Sequence, residues 1–217
     1  MIKIIVMCLM TLMLFSCSKD EALDRVNNEF NDVAYIDWNL AQVSDQFSTF
    51  QFDCLGTSYE RTAITREGKW ETWTAYTSIE LLSLYFDDGG AVFRIFCSGF
   101  DDNLYSKRHS VTLNGNTITF QGDVADTFRT FFNAVMLARA EKIMYEQDVL
   151  CNSNSKEIKA QLVRQMENKY KPFLDKCIPT SSTGTLNRDG NVLRITIDCV
   201  GGKRTFAFTY IKKEDAS

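Results

Sequence analysis

The period of the apolar residues changes twice along this chain, and nothing else in it constrains the fold as strongly. Before residue 122, apolar residues alternate in short runs broken by Gly, Asn and Asp, the pattern of half-buried strands. From Val124 the set Val124, Phe128, Phe131, Phe132, Val135, Met136 and Ile143 falls near i, i+4, i+7, i+8, which is one stripe of a helix. A second stripe follows the polar loop 151–155: Ile158, Leu162, Met166, Tyr170 and Phe173. Alternation then returns at Asn191. Two helices in succession between groups of strands exclude simple βαβ alternation. The pattern predicts an α+β fold: an antiparallel sheet of hairpins, flat or curled into an open barrel, with an inserted helical hairpin over about 123–177.

Local signals set the expected boundaries. Strands are expected over 33–40, 51–57, 59–65, 69–77, 79–86, 91–97, 107–113, 117–121, 191–200 and 203–211. Asp87-Asp88-Gly89-Gly90, Asn114-Gly115-Asn116 and Gly201-Gly202 mark three hairpin turns. An Asn-Gly pair tolerates the positive φ of a type I′ turn, whose twist matches that of paired strands. Asp123 is placed to cap the first helix, and Asn154 with Glu157 three residues on is placed to cap the second. Pro172 is expected to bend or end that helix and Pro179 to stop the chain direction.

The first residues read as an address. Met1-Ile2-Lys3 is a cationic start, and 4–15 is an apolar run, IIVMCLMTLMLF. Twelve helical residues reach roughly 18 Å, well short of a hydrocarbon core of about 30 Å. That length fits the apolar region of a secretory signal. The run ends Leu14-Phe15-Ser16-Cys17, which resembles the lipobox of bacterial lipoproteins, with Phe15 departing from the usual residue type at its position. Ser18-Lys19-Asp20-Glu21 resembles the surface-export tether of Bacteroidota lipoproteins. The resemblance implies cleavage before Cys17, lipidation (palmitate and related acyl chains) on that cysteine, and an outer-membrane address. Surface display is expected, with a periplasm-facing orientation as the alternative. The implied organisation is a signal peptide at 1–16, a lipidated tether at 17–32 and a single α+β domain at 33–217. The start Trp38-Asn39-Leu40 and the succession of short hairpins also resemble lipocalin-like lipoproteins of the Bacteroidota, from which the helical insertion departs.

Charge and cysteine usage narrow the partners. The net charge is −4, and the signal segment carries one charged residue, Lys3, so the mature chain is more acidic still. Nucleic acid is therefore not an expected partner, because phosphate binding draws on a basic stripe. Without Cys8 and Cys17, the cysteines are Cys54, Cys97, Cys151, Cys177 and Cys199, an odd set. Cys151 and Cys177 flank the second helix and stand too far apart for a disulfide unless that helix breaks. Cys97 and Cys199 share strand parity with apolar neighbours, which points to buried thiols.

Chemistry is sparse. His109 is the one histidine, so paired-His metal sites and HExxH are excluded, and any Ser–His or Cys–His enzyme would need His109 as its base. His109 alternates with apolar residues, which favours a packed role. Phosphate-cradling glycine loops, a G-x-S-x-G elbow and CxxC are missing from the sequence. Asp87-Asp88, Asp101-Asp102 and 187–191 suit turns better than calcium, because Asx side chains bond their own backbone. No catalytic, metal or cofactor residue is nominated. The suggestive cluster is aromatic: Trp38, Trp70, Trp73 and Tyr76 offer flat faces for a sugar or a protein, with core packing as the plainer role.

The function expected from these features is that of a non-enzymatic binding or interaction module, held at the membrane through Cys17 and taking a protein, a glycan or a small apolar ligand. Two alternatives remain open: a surface hydrolase using dispersed carboxylates, and a carrier with an apolar ligand roofed by Phe128, Phe131, Phe132, Val135 and Met136.

Overall fold

The computed structural model describes residues 33–54, 57–64, 67–77, 79–97, 105–147 and 154–210, with the side chains of 57–64 and 73–77 outside that description. Cys17, the tether, Cys151 and the Asp101-Asp102 pair also lie outside the described residues.

The fold is α+β. Ten of the twelve described strands form one antiparallel, nearly closed, barrel-shaped sheet: β1 (Asp37–Ser44), β2 (Thr49–Gln51), β5 (Glu80–Asp87), β6 (Gly90–Cys97), β7 (Tyr105–His109), β8 (Val111–Asn114), β9 (Thr117–Phe120), β10 (Pro179–Asp189), β11 (Val192–Cys199) and β12 (Gly202–Tyr210). Their order is β7-β6-β5-β1-β12-β11-β10-β9-β8, with β2 paired to the far half of β1. The other two, β3 (Thr57–Ile64) and β4 (Trp70–Thr77), pair as a separate ribbon.

β1 pairs with β5 through Asp37–Asn39 and with β2 through Gln42–Ser44, while β12 runs along its other side. Its register against β12 slips between Leu40 and Gln42, so Ala41 is a bulge where β1 changes partners. The strand expected over 107–113 is divided. Ser110 separates β7, which pairs with β6, from β8, which pairs with β9. One residue thus links the two ends of the sheet, and alternation alone does not reveal a change of partner. The β5–β6 turn ends at Gly90, with φ 122°, where an added Cβ would collide with the His109 carbonyl oxygen. Only glycine fits that approach.

Several boundaries move. The first strand starts at Asp37 rather than 33, and the expected strand over 51–57 reduces to three residues at Thr49–Gln51. Pro179 opens β10, a strand the sequence reading did not anticipate. β10 is rich in Ser and Thr and buries few of its side chains, so it lacks the apolar alternation that betrays its neighbours.

Helix α1 (Val124–Glu146) starts at Asp123, whose carboxylate accepts the Asp126 N–H at 3.3 Å. It lays Phe128, Phe131, Phe132 and Val135 on the sheet's inner face. Phe128 meets Phe206 with ring centroids 4.7 Å apart, and Phe131 meets Phe52 at 5.1 Å. Each such buried ring contributes about 2–3 kcal/mol by apolar transfer. Helix α2 (Ser155–Leu174) packs along α1 through Met136, Ala140, Met144, Leu162 and Met166. Asn154 holds the N-cap position without a side-chain capping bond. Pro172 sits inside the last turn of α2, which ends two residues later and tightens into a 3₁₀ turn over Asp175–Cys177.

Candidate ligand-binding site

Charge and concavity coincide at several places on the described surface, among them a hollow of about 350 Å³ lined by Arg129, Lys171 and Asp175. A larger one lies between two turns. The turn from β1 to β2 carries Asp45, Gln46 and Phe47, and the β11–β12 hairpin carries Gly201, Gly202, Lys203 and Arg204. With Ser44, Thr196 and Thr205 they enclose an open pocket of about 570 Å³.

Arg204 anchors this region. It shares strand parity with Phe206 and Phe208, so it points inward, and only 6% of it is exposed. Its Nη2 pairs with Asp45 Oδ2 at 3.3 Å, and its Nη1 donates to the Lys203 carbonyl at 3.0 Å. Its Nε is buried and has no hydrogen-bond partner. Burying a charged donor without a partner is costly, so the neighbouring Asp45 is essential.

Asp45 in turn shapes the turn. Its Oδ1 accepts from Phe47 N at 2.8 Å, Ser48 N at 2.7 Å and Ser48 Oγ at 3.0 Å. Those backbone bonds, with Arg204 adding to them, hold the Asp45 carboxyl below the usual range. The result is a fixed backbone at Phe47, whose ring stands 88% exposed on the pocket rim. Gly201 is required by the same crowding, since a Cβ there would come within 2.6 Å of Lys176 Cβ and 2.8 Å of Arg204 Nη2. The pocket wall is hydroxyl-rich: Ser44, Thr205 and Thr196 stand opposite one another across β1, β12 and β11, and the two threonine hydroxyls bond at 2.9 Å.

A further place is a cleft of about 280 Å³ lined by residues of α1 and α2 together with Asp53 and Glu80. Glu80, almost fully buried at the start of β5, is held by Arg139 from α1. Arg139 Nη2 also donates to the Gln51 carbonyl at 2.8 Å. The guanidinium lies 4.5 Å from the Phe50 ring centre and 4.7 Å from that of Tyr170. Burial pushes the Tyr170 phenol up, but hydrogen bonds from Lys169 and Arg139 outweigh it and lower its pKa overall. These charges are satisfied by one another, so the cleft works chiefly as a knot joining α1, α2, β2 and β5.

The aromatic candidates separate. Trp38 is fully buried and its indole donates to the Val33 carbonyl at 2.9 Å, so it belongs to the core and presents no face to a ligand. Trp70 begins β4 and is 70% exposed. Trp73 and Tyr76 sit on β4 opposite Arg61 and Ser58, and their side chains lie outside the described residues. The four do not form one site with Trp38 among them. Phe47 was not singled out from the sequence. The signal available was Asp45-Gln46-Phe47-Ser48, an Asx turn placing an aromatic at its tip. Arg204 also had a signal, a cation at an inward position of an otherwise apolar strand face.

His109 is buried, with Nδ1 3.0 Å from the Gln121 carbonyl and Nε2 3.4 Å from Thr127 Oγ1. It packs edge-on against Phe93 and Phe120. Cys97 and Cys199 are buried free thiols, and Cys54 and Cys177 are free as well. Burial lifts Cys54, Cys97 and Cys199 to about 12 and Cys177 to about 11, the last despite the opposing Arg204 guanidinium. Asp87 is held by Arg108 and bonds Gly89 N, a turn role. Among the described residues no group of three His, Cys, Asp or Glu side chains is placed to hold a metal ion. The void bounded by Phe93, Phe120, Phe128, Phe206 and their neighbours beneath α1 measures about 10 Å³, too little for an organic ligand.

Comparison with protein-family models, with curated proteins and with solved structures finds no match to this chain.

Proposed function

We propose that this chain is a lipid-tethered, non-enzymatic binding module, held in the outer membrane through Cys17, displayed at the cell surface, and engaging its ligand at the Phe47 pocket. One observation carries the reading. A large aromatic ring stands in water beside a 570 Å³ pocket, on a turn fixed by four contacts to a single carboxylate. Exposing a phenylalanine forfeits its burial energy, and fixing its backbone removes the freedom to hide it. Preorganised exposed aromatics of this kind suit recognition.

The placement along β1 supports the same reading. The tether meets the domain at Val33, whose carbonyl is held by Trp38 near the start of β1, and the pocket lies beyond Ser44 at the other end. Eight extended residues put roughly 23 Å between the two ends. A domain tethered near the start of β1 therefore carries its pocket away from the lipid surface. No helix among the described residues is long and apolar enough to cross a membrane.

The test is a thermal-shift screen of glycans, peptides and small metabolites against the full chain in detergent and its Phe47→Ala variant. Ligands should raise the melting temperature of the parent and not of the variant. Hits that stabilise both equally would move the site elsewhere on the molecule. Turnover of a hit by the parent would replace the binding reading with an enzymatic one.

A further inference from the structure

We infer that the Phe47 pocket takes an acidic saccharide, a chain of pyranose rings carrying carboxylate groups. This rests on the binding-module reading and names its ligand class.

The lining sorts into three kinds of group. Phe47 is the large apolar face, exposed and fixed in place. A pyranose ring has an apolar C–H face that packs on an aromatic ring. The wall is built of short hydroxyls and an amide: Ser44, Thr196, Thr205 and Gln46. Such groups serve as donor and acceptor alike and match the hydroxyls of a sugar. A fatty chain would gain little from them, since apolar ligands prefer apolar walls.

The third kind is charge, and it decides the class. Asp45 lines the pocket but is consumed, with Oδ1 taken by Phe47 and Ser48 and Oδ2 by Arg204. The Lys203 ammonium forms no ion pair among the described residues. Arg204, nine-tenths buried, is spent on Asp45 and the Lys203 carbonyl, and its Nε is sealed from solvent. The pocket thus holds one carboxylate already neutralised by Arg204 and one cation left over, Lys203. A carboxylate on the ligand answers that cation, and a neutral sugar leaves it unanswered.

The experiment uses the full chain in detergent and isothermal titration with two probes of equal length. One is a tetrasaccharide alternating glucuronate and N-acetylglucosamine, and the other is the neutral N-acetylglucosamine tetramer. The acidic probe should bind at least about tenfold more tightly, and Phe47→Ala and Lys203→Ala should each weaken it by about tenfold or more. Added salt should weaken the parent more than Lys203→Ala. Both side chains point to solvent, and unchanged circular dichroism and melting temperature would verify that the variants fold. Equal binding of both probes, lost in Phe47→Ala, would overturn the acidic class and leave the binding module standing. Binding of neither probe would overturn the saccharide assignment, and the thermal-shift screen would then judge the module separately.

Discussion

Arg139 grips Glu80 through two parallel hydrogen bonds, Nε to Oε1 at 2.5 Å and Nη2 to Oε2 at 2.8 Å, where Glu80 has almost no contact with water. The Asp53 N–H adds a third donor to Glu80 at 3.1 Å. Removing one partner leaves a buried charge uncompensated. Arg139→Met should therefore cost about 3–5 kcal/mol of stability. The double variant Arg139→Met with Glu80→Gln should recover part of that loss. Urea denaturation of the parent, both single variants and the double gives the coupling directly. Additive losses would mean the pair is not a unit.

Acid should weaken the fold through Asp45 and Asp87. Hydrogen bonds from Phe47 N and Ser48 N hold Asp45 below the usual range, and the Arg108 guanidinium does the same for Asp87. A carboxyl whose folded pKa is depressed stabilises the fold above its unfolded value, about 3.9. That contribution fades as pH falls through the lower folded value. Melting temperatures should decline below about pH 4 from these two groups, and Asp45→Asn with Asp87→Asn should flatten the acid limb. An acid limb unchanged in the double variant would assign acid sensitivity to other carboxyls.

The buried thiols should be silent while the chain is folded. An ordinary thiol ionises near 8.5. Burial raises Cys97 and Cys199 to about 12 and Cys177 to about 11, and Cys54 also donates its thiol to the Leu40 carbonyl at 2.8 Å. Treatment with a chromogenic disulfide reagent at pH 8 should label these four slowly in buffer and fully in guanidinium. Fast labelling of any of them in buffer would contradict its packing.

His109 holds three strands and a helix together, with Gln121 and Thr127 as partners for its two nitrogens and Phe93 and Phe120 against its ring. Truncation to alanine opens a cavity and strands a buried acceptor, at about 2–4 kcal/mol. Ligand binding at the Phe47 pocket should survive wherever the variant stays folded. Calorimetric melting and titration on the same sample separate the two effects.

The proposed anchorage rests on one sulfur. Cys17→Ser should move the chain from the membrane to the soluble fraction, because lipid attachment is what holds a water-soluble domain at the bilayer. Co-fractionation of the variant with membranes would sink the proposed address.

The fold class was legible because period and burial agree almost everywhere they were used. The stripe from Val124 to Met136 is buried as its spacing demands, and the three glycine turns fall between paired strands. β10 was not legible. It pairs by backbone alone over much of its length, and backbone pairing leaves no apolar mark in a Ser/Thr-rich segment. The change of partner at Ser110 was hidden for a related reason, since alternation records the buried face and not the neighbour. Residue type alone did not separate the buried Trp38 from the exposed Trp70, and the exposed Phe47 lies in a turn that alternation does not reach. Arg139 and Glu80 each interrupt an apolar run with a charge, and a reading that paired such interruptions would have found them.

The first and last described strands lie side by side at the middle of the sheet, with Trp38 opposite Tyr210. Contacts between such distant positions raise the entropic barrier to folding and slow it. Until β12 has emerged, β1 lacks its longest partner, and the central seam of the sheet stays open. A chain leaving the ribosome therefore has no way to finish its core early. The seam between β1 and β12 closes only once the final hairpin has arrived.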